Sequence, residues 1–249
     1  MYTVFLAGGM GTRLSEETTK IPKPMIKIGK KPILFHIMKH YSKSNYKKFI
    51  ICGGYKWKYI KNFFNKYKNL EKNEKDWFVN VVNTGLKTQT GARIKKIKKF
   101  LGDEKTFFMT YGDGVSNVNL KKLLSFHNKH KKIATLTAVR PLPRFGNIKL
   151  DKNKVSNFSE KDRLQEGWIN GGFFVLNKEV FDYIDNRENC IFERSPLQNL
   201  SRDGQLMAFK HEGFWHPMDT LRDKNYLNKI CRNRKFIWKN IQKTGDYLF

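Results

Sequence analysis

The chain has 249 residues, 39% of them hydrophobic, enough for one large α/β domain; no stretch approaches the ~18 apolar residues of a membrane helix and no basic leader precedes the first apolar run, so a soluble cytoplasmic protein with no membrane partner is expected. Its formal net charge of +27 points to phosphorylated or polyanionic ligands, but the lysines are dispersed and read as solvated surface, so no nucleic acid is expected as partner. Three widely spaced cysteines, Cys52, Cys190 and Cys231, with no C-x-x-C, exclude a disulfide framework and a zinc site and imply a reducing compartment.

Val4 to Leu6 reads as a buried strand. It breaks into Gly8-Gly9-Met10-Gly11-Thr12-Arg13. Glycines there let the backbone approach a ligand, and successive N–H groups in such a turn form an anion-binding concavity. The plain alternative is a tight turn with no ligand. Arg13 adds a guanidinium suited to phosphate oxygens. Lys23 lies between Pro22 and Pro24, which stiffen the loop and restrict where its ammonium points. This is a cradle for a nucleoside triphosphate, yet it is neither a P-loop nor a dinucleotide fingerprint: no Lys-Ser or Lys-Thr follows at the required spacing, and Leu14 stands where the third glycine belongs.

Ile33 to Ser44 carries apolar residues at helical spacing. His36 and His40 lie four apart on it, and with no third ligand they read as a core-edge pair. Phe49–Cys52 is a strand ending at Gly53-Gly54. Trp57, Ile60, Phe63, Phe64 and Tyr67 make an amphipathic helix, 68–76 is a loop, and Phe78–Val82 is a strand. Thr88-Gln89-Thr90-Gly91-Ala92-Arg93 leads into a helix with Ile94, Ile97 and Leu101. Thr90 is either a plain N-cap or the start of a helix whose free N–H groups line the nucleotide site.

Thr106–Tyr111 is an apolar strand that stops at Gly112-Asp113-Gly114. Ligands collect beyond the carboxyl ends of parallel strands, and an aspartate there suits a hard cation; the alternative is an ordinary Asp-Gly turn. A helix over Asn119–Lys131 and a strand over Ile133–Val139 continue the alternation that marks a parallel sheet. After Arg144-Phe145-Gly146 the pattern changes to a hairpin around 151–153, which delivers Glu160-Lys161. Ile169–Leu176 is a strand with Asn170-Gly171-Gly172 at its head, read as a ligand approach or as a β-bulge. Ser195-Pro196 opens a helix, Leu206–Phe209 is a strand, and Asp219-Thr220 stands at the start of a last helix, where Asp219 is an N-cap or a metal ligand.

Leu6-Ala7-Gly8-Gly9-Met10-Gly11-Thr12-Arg13-Leu14 with Pro22-Lys23-Pro24-Met25 resembles the sugar-phosphate nucleotidyltransferase family, and Ser15-Glu16-Glu17-Thr18 is similar to its cytidylyltransferase branch. The resemblance runs from the first strand to about Lys239. It implies an α/β fold: a mostly parallel, Rossmann-like sheet with helices on both faces and a small β-rich acceptor-binding part. One nucleotidyltransferase domain, 1–249, would comprise a nucleotide-binding part over 1–140 and an acceptor-binding part with the C-terminal helix over 141–249.

The implied reaction is CTP plus a sugar 1-phosphate, glucose 1-phosphate first among them, giving a CDP-sugar and pyrophosphate. The implied nucleotide contacts are Leu6, Ala7, Gly8, Gly9, Gly11, Thr12, Arg13, Lys23, Thr88, Arg93 and Gly112, with Arg13 and Lys23 catalytic. Asp113 and Asp219 would hold Mg²⁺. Gly146, Glu160, Lys161, Asn170, Gly171 and Glu193 would bind the acceptor. Three departures stand out: Asp162 in place of the family's proline after Glu-Lys, Asn83 in place of the aspartate before Thr-Gly, and a short 68–76 segment where relatives carry a hairpin used in subunit contacts. A phosphorylated amino-acid-like or polyol acceptor, a homo-oligomer, and a non-catalytic nucleotide- or RNA-binding protein on the same fold stay open on the sequence alone.

Overall fold

The computed structural model describes residues 1–68, 74–141, 146–159 and 167–232. Strand β1 (Tyr2–Ala7) runs into the glycine turn, a short helix α1 (Ser15–Thr18) and a single helical turn over Lys23–Met25. Two short strands, β2 (Lys27–Ile28) and β3 (Lys31–Pro32), precede α2 (Ile33–Lys43). Then come β4 (Lys48–Gly53), α3 (Trp57–Lys68), β5 (Phe78–Asn83), α4 (Thr90–Lys96), β6 (Thr106–Tyr111), β7 (Gly114–Ser116), α5 (Leu120–His130) and β8 (Ala134–Val139). The chain continues through β9 (Asn147–Asp151), β10 (Lys154–Ser159), β11 (Ile169–Asn177), α6 (Ser195–Arg202), β12 (Leu206–His211), β13 (Trp215–Pro217) and α7 (Leu221–Arg232).

Seven strands form the central sheet in the order β12-β8-β11-β6-β1-β4-β5. All neighbours are parallel except β11, which runs antiparallel to both β6 and β8. The sheet is therefore mostly parallel, as expected, and β11 stitches the stretch after 141 into its middle.

Both faces are covered, and the inner strands β1, β4 and β6 are correspondingly apolar. Successive side chains point to opposite faces. Phe5, Phe49, Ile51, Phe108, Phe173 and Val175 pack with Ile37 and Tyr41 of α2, Phe64 of α3 and Leu123 of α5 on one side. Val4, Leu6, Ile50, Phe107, Met109 and Phe174 pack with Ala92 and Ile94 of α4 and Leu200 of α6 on the other.

The hairpin predicted around 151–153 is present as β9 and β10, with Lys152 at a φ of 53° in its turn. His36 and His40 are buried and bond to two different backbone oxygens, of Ile28 and Val118, each at 2.9 Å. Asn119 caps α5 by accepting from the Lys122 N–H. At α6 the cap position falls on Arg194, and Ser195 is already helical with no side-chain cap bond. No helix among the described residues is long and apolar enough to cross a membrane.

Candidate active site

The carboxyl end of β1 opens into a cleft of about 230 Å³ lined by Leu6, Ala7, Gly9, Gly11, Thr12, Arg13, Lys23, Pro24, Gly112 and Asp113. Eight of the residues expected to hold the nucleotide line it. Gly8, Thr88 and Arg93 lie outside that lining. The turn closes on itself: the Gly11 carbonyl accepts from Leu14 N at 2.9 Å and from the Thr18 hydroxyl at 3.2 Å. The Gly112 N–H donates to the Leu6 carbonyl at 3.0 Å, which holds the β6 end against the turn.

Lys23 is 8% exposed. Its ammonium lies 2.6 Å from Asp113 Oδ2 and 2.7 Å from Asp219 Oδ1. Arg13, whose side chain is 69% exposed, donates to Asp219 Oδ2 at 3.1 Å. Burial works against the charge of Lys23, but the two carboxylates outweigh it and raise its pKa above the usual lysine value.

Two strand ends bring the aspartates together. β7 follows Asp113 and pairs antiparallel with β13, which leads to Asp219; the Met218 N–H donates to the Asp113 carbonyl at 2.9 Å. Asp219 is not the helix cap that was one expectation. Thr220 and Asp223 form a capping box: Asp223 Oδ2 accepts from Thr220 N at 2.8 Å, and the Asp223 N–H donates to the Thr220 hydroxyl at 3.2 Å. The same Oδ2 accepts the Asp219 N–H at 3.0 Å. The Asp219 carboxylate is thereby left to face Lys23 and Arg13. The signal was in the sequence as Thr220-Leu221-Arg222-Asp223 and was missed because Asp219 was weighed as the cap instead.

No group of three or more His, Cys, Asp or Glu side chains converges among the described residues. Magnesium rarely uses such a cage; one or two carboxylates, water and substrate phosphates complete its shell. Asp113 and Asp219 already hold one cationic group between them, so the donor set fits that ion.

The start of α4 is a further correction. Its N–H groups were expected to line the nucleotide site. Instead Gly91 N and Ala92 N donate to the Cys190 carbonyl at 2.9 and 3.2 Å, and the Thr90 hydroxyl donates to Glu193 Oε2 at 2.6 Å. Gln89, not Thr90, takes the cap position. The helix start docks the 188–193 segment rather than a phosphate. Thr88 is buried and accepts from Lys96 Nζ at 3.1 Å.

Arg93 is 4% exposed and its guanidinium donates to the carbonyls of Gly8, Gly53, Gly85 and Leu86 and to the Thr84 hydroxyl, at 2.6–3.3 Å. Burial lowers its pKa. The resemblance implied direct contact with the nucleotide; in this structure these donors are engaged by protein oxygens, among them the Gly8 carbonyl of the glycine turn.

On the acceptor side, Glu160, Lys161 and Asp162 lie outside the described residues. Gly146 stands half-buried just before β9. Asn170 and Glu193 meet at Tyr111: its phenol lies 2.5 Å from Glu193 Oε1 and 3.4 Å from Asn170 Nδ2. The Trp215 indole N–H donates to the Gly171 carbonyl at 2.7 Å. The register of β11 against β8 shifts between Asn170 and Phe174, so the glycine pair makes a bulge at the edge of the site. Tyr111 and Trp215 were missed; the available signal was that buried Tyr and Trp polar ends need partners.

A family model described as nucleotidyl transferase matches residues 2–228. The chain belongs to the nucleotidyl transferase family. This nucleotidyl transferase is 46% identical to a glucose-1-phosphate cytidylyltransferase of Salmonella typhi, over 96% of this chain and 99% of that one. It is 40% identical to a probable glucose-1-phosphate cytidylyltransferase of Bacillus subtilis over the same shares. Its fold is also similar to that of a UDP-glucose pyrophosphorylase complexed with UDP-glucose, at a TM-score of 0.72 and 16% identity, covering 94% of this chain and 98% of that one.

Proposed function

We propose that this nucleotidyl transferase is a glucose-1-phosphate cytidylyltransferase, joining CTP and glucose 1-phosphate to give CDP-glucose and pyrophosphate. The observation that carries the chemistry is Lys23, clamped between Asp113 and Asp219 beside the glycine turn. What supports the substrate pair is the 46% identity across nearly the whole of both chains.

An oxygen of the acceptor phosphate attacks the α-phosphorus of CTP, and the bond from that phosphorus to the bridging oxygen of the β-phosphate breaks. Pyrophosphate carries the electron pair away. No covalent enzyme intermediate and no general base are needed, because the attacking phosphate is already an anion. Catalysis is positioning and charge neutralisation.

The backbone around Gly9, Gly11 and Thr12 cradles the triphosphate. Arg13 and Lys23 neutralise its oxygens. Mg²⁺ held by Asp113 and Asp219 would supply further charge neutralisation at the reacting phosphates. Asn170 and Glu193 orient the sugar hydroxyls, and Lys161 holds the acceptor phosphate. Cys52, Cys190 and Cys231, widely spaced in the chain, suit a reducing, cytoplasmic setting.

The test is kcat/KM with glucose 1-phosphate across CTP, UTP, dTTP, ATP and GTP. CTP is expected to lead; a preference for UTP or dTTP contradicts the base assignment, and turnover only with a non-sugar phosphate contradicts the acceptor.

A further inference from the structure

The strand end that carries Asp113 also carries Tyr111, two residues earlier. We propose that Tyr111 is a positioning residue of the acceptor site: its phenol fixes Glu193 and Asn170, and its backbone ties them to Asp113. The inference rests on the functional reading above.

Three observations converge on this residue. First, its hydroxyl is a junction. It donates to Glu193 Oε1 at 2.5 Å and lies 3.4 Å from Asn170 Nδ2. The other carboxylate oxygen of Glu193 accepts the Thr90 hydroxyl at 2.6 Å. Each carboxylate oxygen keeps a second lone pair, so Glu193 is oriented and still able to accept from a sugar hydroxyl.

Second, its ring shapes β11. Gly172 has a φ of 77°, and a Cβ there would lie 2.3 Å from Tyr111 Cδ2. The strand passes the ring only as glycine, bulging as it does so, and Asn170 Oδ1 closes the bulge by accepting the Gly172 N–H at 2.9 Å. The ring therefore sets where Asn170 stands.

Third, the backbone is anchored to the phosphate end. Leu6 of β1 pairs with Tyr111, and the next N–H, of Gly112, donates to the Leu6 carbonyl. Asp113 follows and meets Lys23. A rigid strand end thus fixes the separation between the groups that hold the sugar and those that hold the phosphates.

The experiment is Tyr111→Phe, which keeps the ring and removes the hydroxyl. With CTP and glucose 1-phosphate, KM for the sugar phosphate should rise about tenfold, the scale of one hydrogen bond to a charged group, while KM for CTP stays within about twofold and the melting temperature holds. An unchanged KM for the sugar phosphate, or both KM values rising together, overturns the proposal. Selective ¹³Cζ-tyrosine NMR reads the junction without any substrate. The resonance missing from Tyr111→Phe should shift in Glu193→Gln, and a resonance that stays in place overturns the proposal. A wild type inactive on every sugar 1-phosphate, with that shift present, overturns the functional reading and leaves the junction standing.

Discussion

Arg93 Nη2 donates to the carbonyl oxygen of Gly8 at 3.1 Å, and a Cβ at position 8 would fall 2.2 Å from Arg93 Nη1. A side chain at position 8 would run into the buried guanidinium. The same guanidinium reaches the ends of β4 and the loop after β5, so one side chain aligns three carboxyl-end loops.

Arg93→Lys should therefore lower stability and weaken CTP binding together. A lysine offers three donors where five oxygens are engaged, and unsatisfied buried carbonyls cost about 1–3 kcal/mol each. Thermal melts and calorimetric CTP titrations check this. A variant with wild-type melting temperature but lost CTP binding would instead favour direct contact with the nucleotide.

The Thr220–Asp223 capping box holds the start of α7 and leaves the Asp219 carboxylate to Lys23 and Arg13. Asp223→Asn should cost about 1 kcal/mol, the usual worth of a cap, and should raise the Mg²⁺ needed for half-maximal rate. Burial opposes the charge of Asp223, but the Thr220 hydroxyl and N–H, His216 and the Asp219 N–H outweigh it and lower its pKa below 3.8. Its stabilisation is complete above 3.8 and fades as pH falls through the lower folded value. The gap in melting temperature between wild type and variant should accordingly close as pH falls below 3.8.

The glycine turn, the strand ends and the hairpin over 147–159 were legible in the sequence because each is a local pattern: apolar runs, glycines, period-two alternation. Three things were not. The place of β11 between β6 and β8 depends on pairing far along the chain, and no local spacing encodes it. Asp113 and Asp219 were brought together only by the family resemblance, because their meeting depends on β7 pairing with β13, a hundred residues away, and no local spacing encodes it. The role of Arg93 turned on where its donors go: a surface arginine and a buried one with carbonyl partners look alike in sequence. That the Gly91 and Ala92 N–H groups of α4 donate to the Cys190 carbonyl was hidden for the same reason, since the 188–193 segment is remote.

Asp113→Asn and Asp219→Asn should each raise the Mg²⁺ requirement and lower the rate. Both carboxylates face Lys23, and both are hard oxygen donors at a cleft built for phosphates. Asp219→Asn should be the more damaging, because Asp219 also orients Arg13. Rates measured against Mg²⁺ concentration decide this; an unchanged titration in either variant removes that residue from the metal site.

Cytidylyl transfer to glucose 1-phosphate is expected at a site centred on Lys23. The most direct measurement is product analysis with CTP, glucose 1-phosphate and Mg²⁺, comparing wild type with Lys23→Ala. CDP-glucose and pyrophosphate should form one to one, and Lys23→Ala should cut kcat by about 10²–10³, the typical worth of a preorganised group facing developing charge, with no change in fold. A wild type that binds CTP yet makes no CDP-glucose would contradict the cytidylyltransferase reading, and a Lys23→Ala variant within a few-fold of wild type would contradict the role of Lys23.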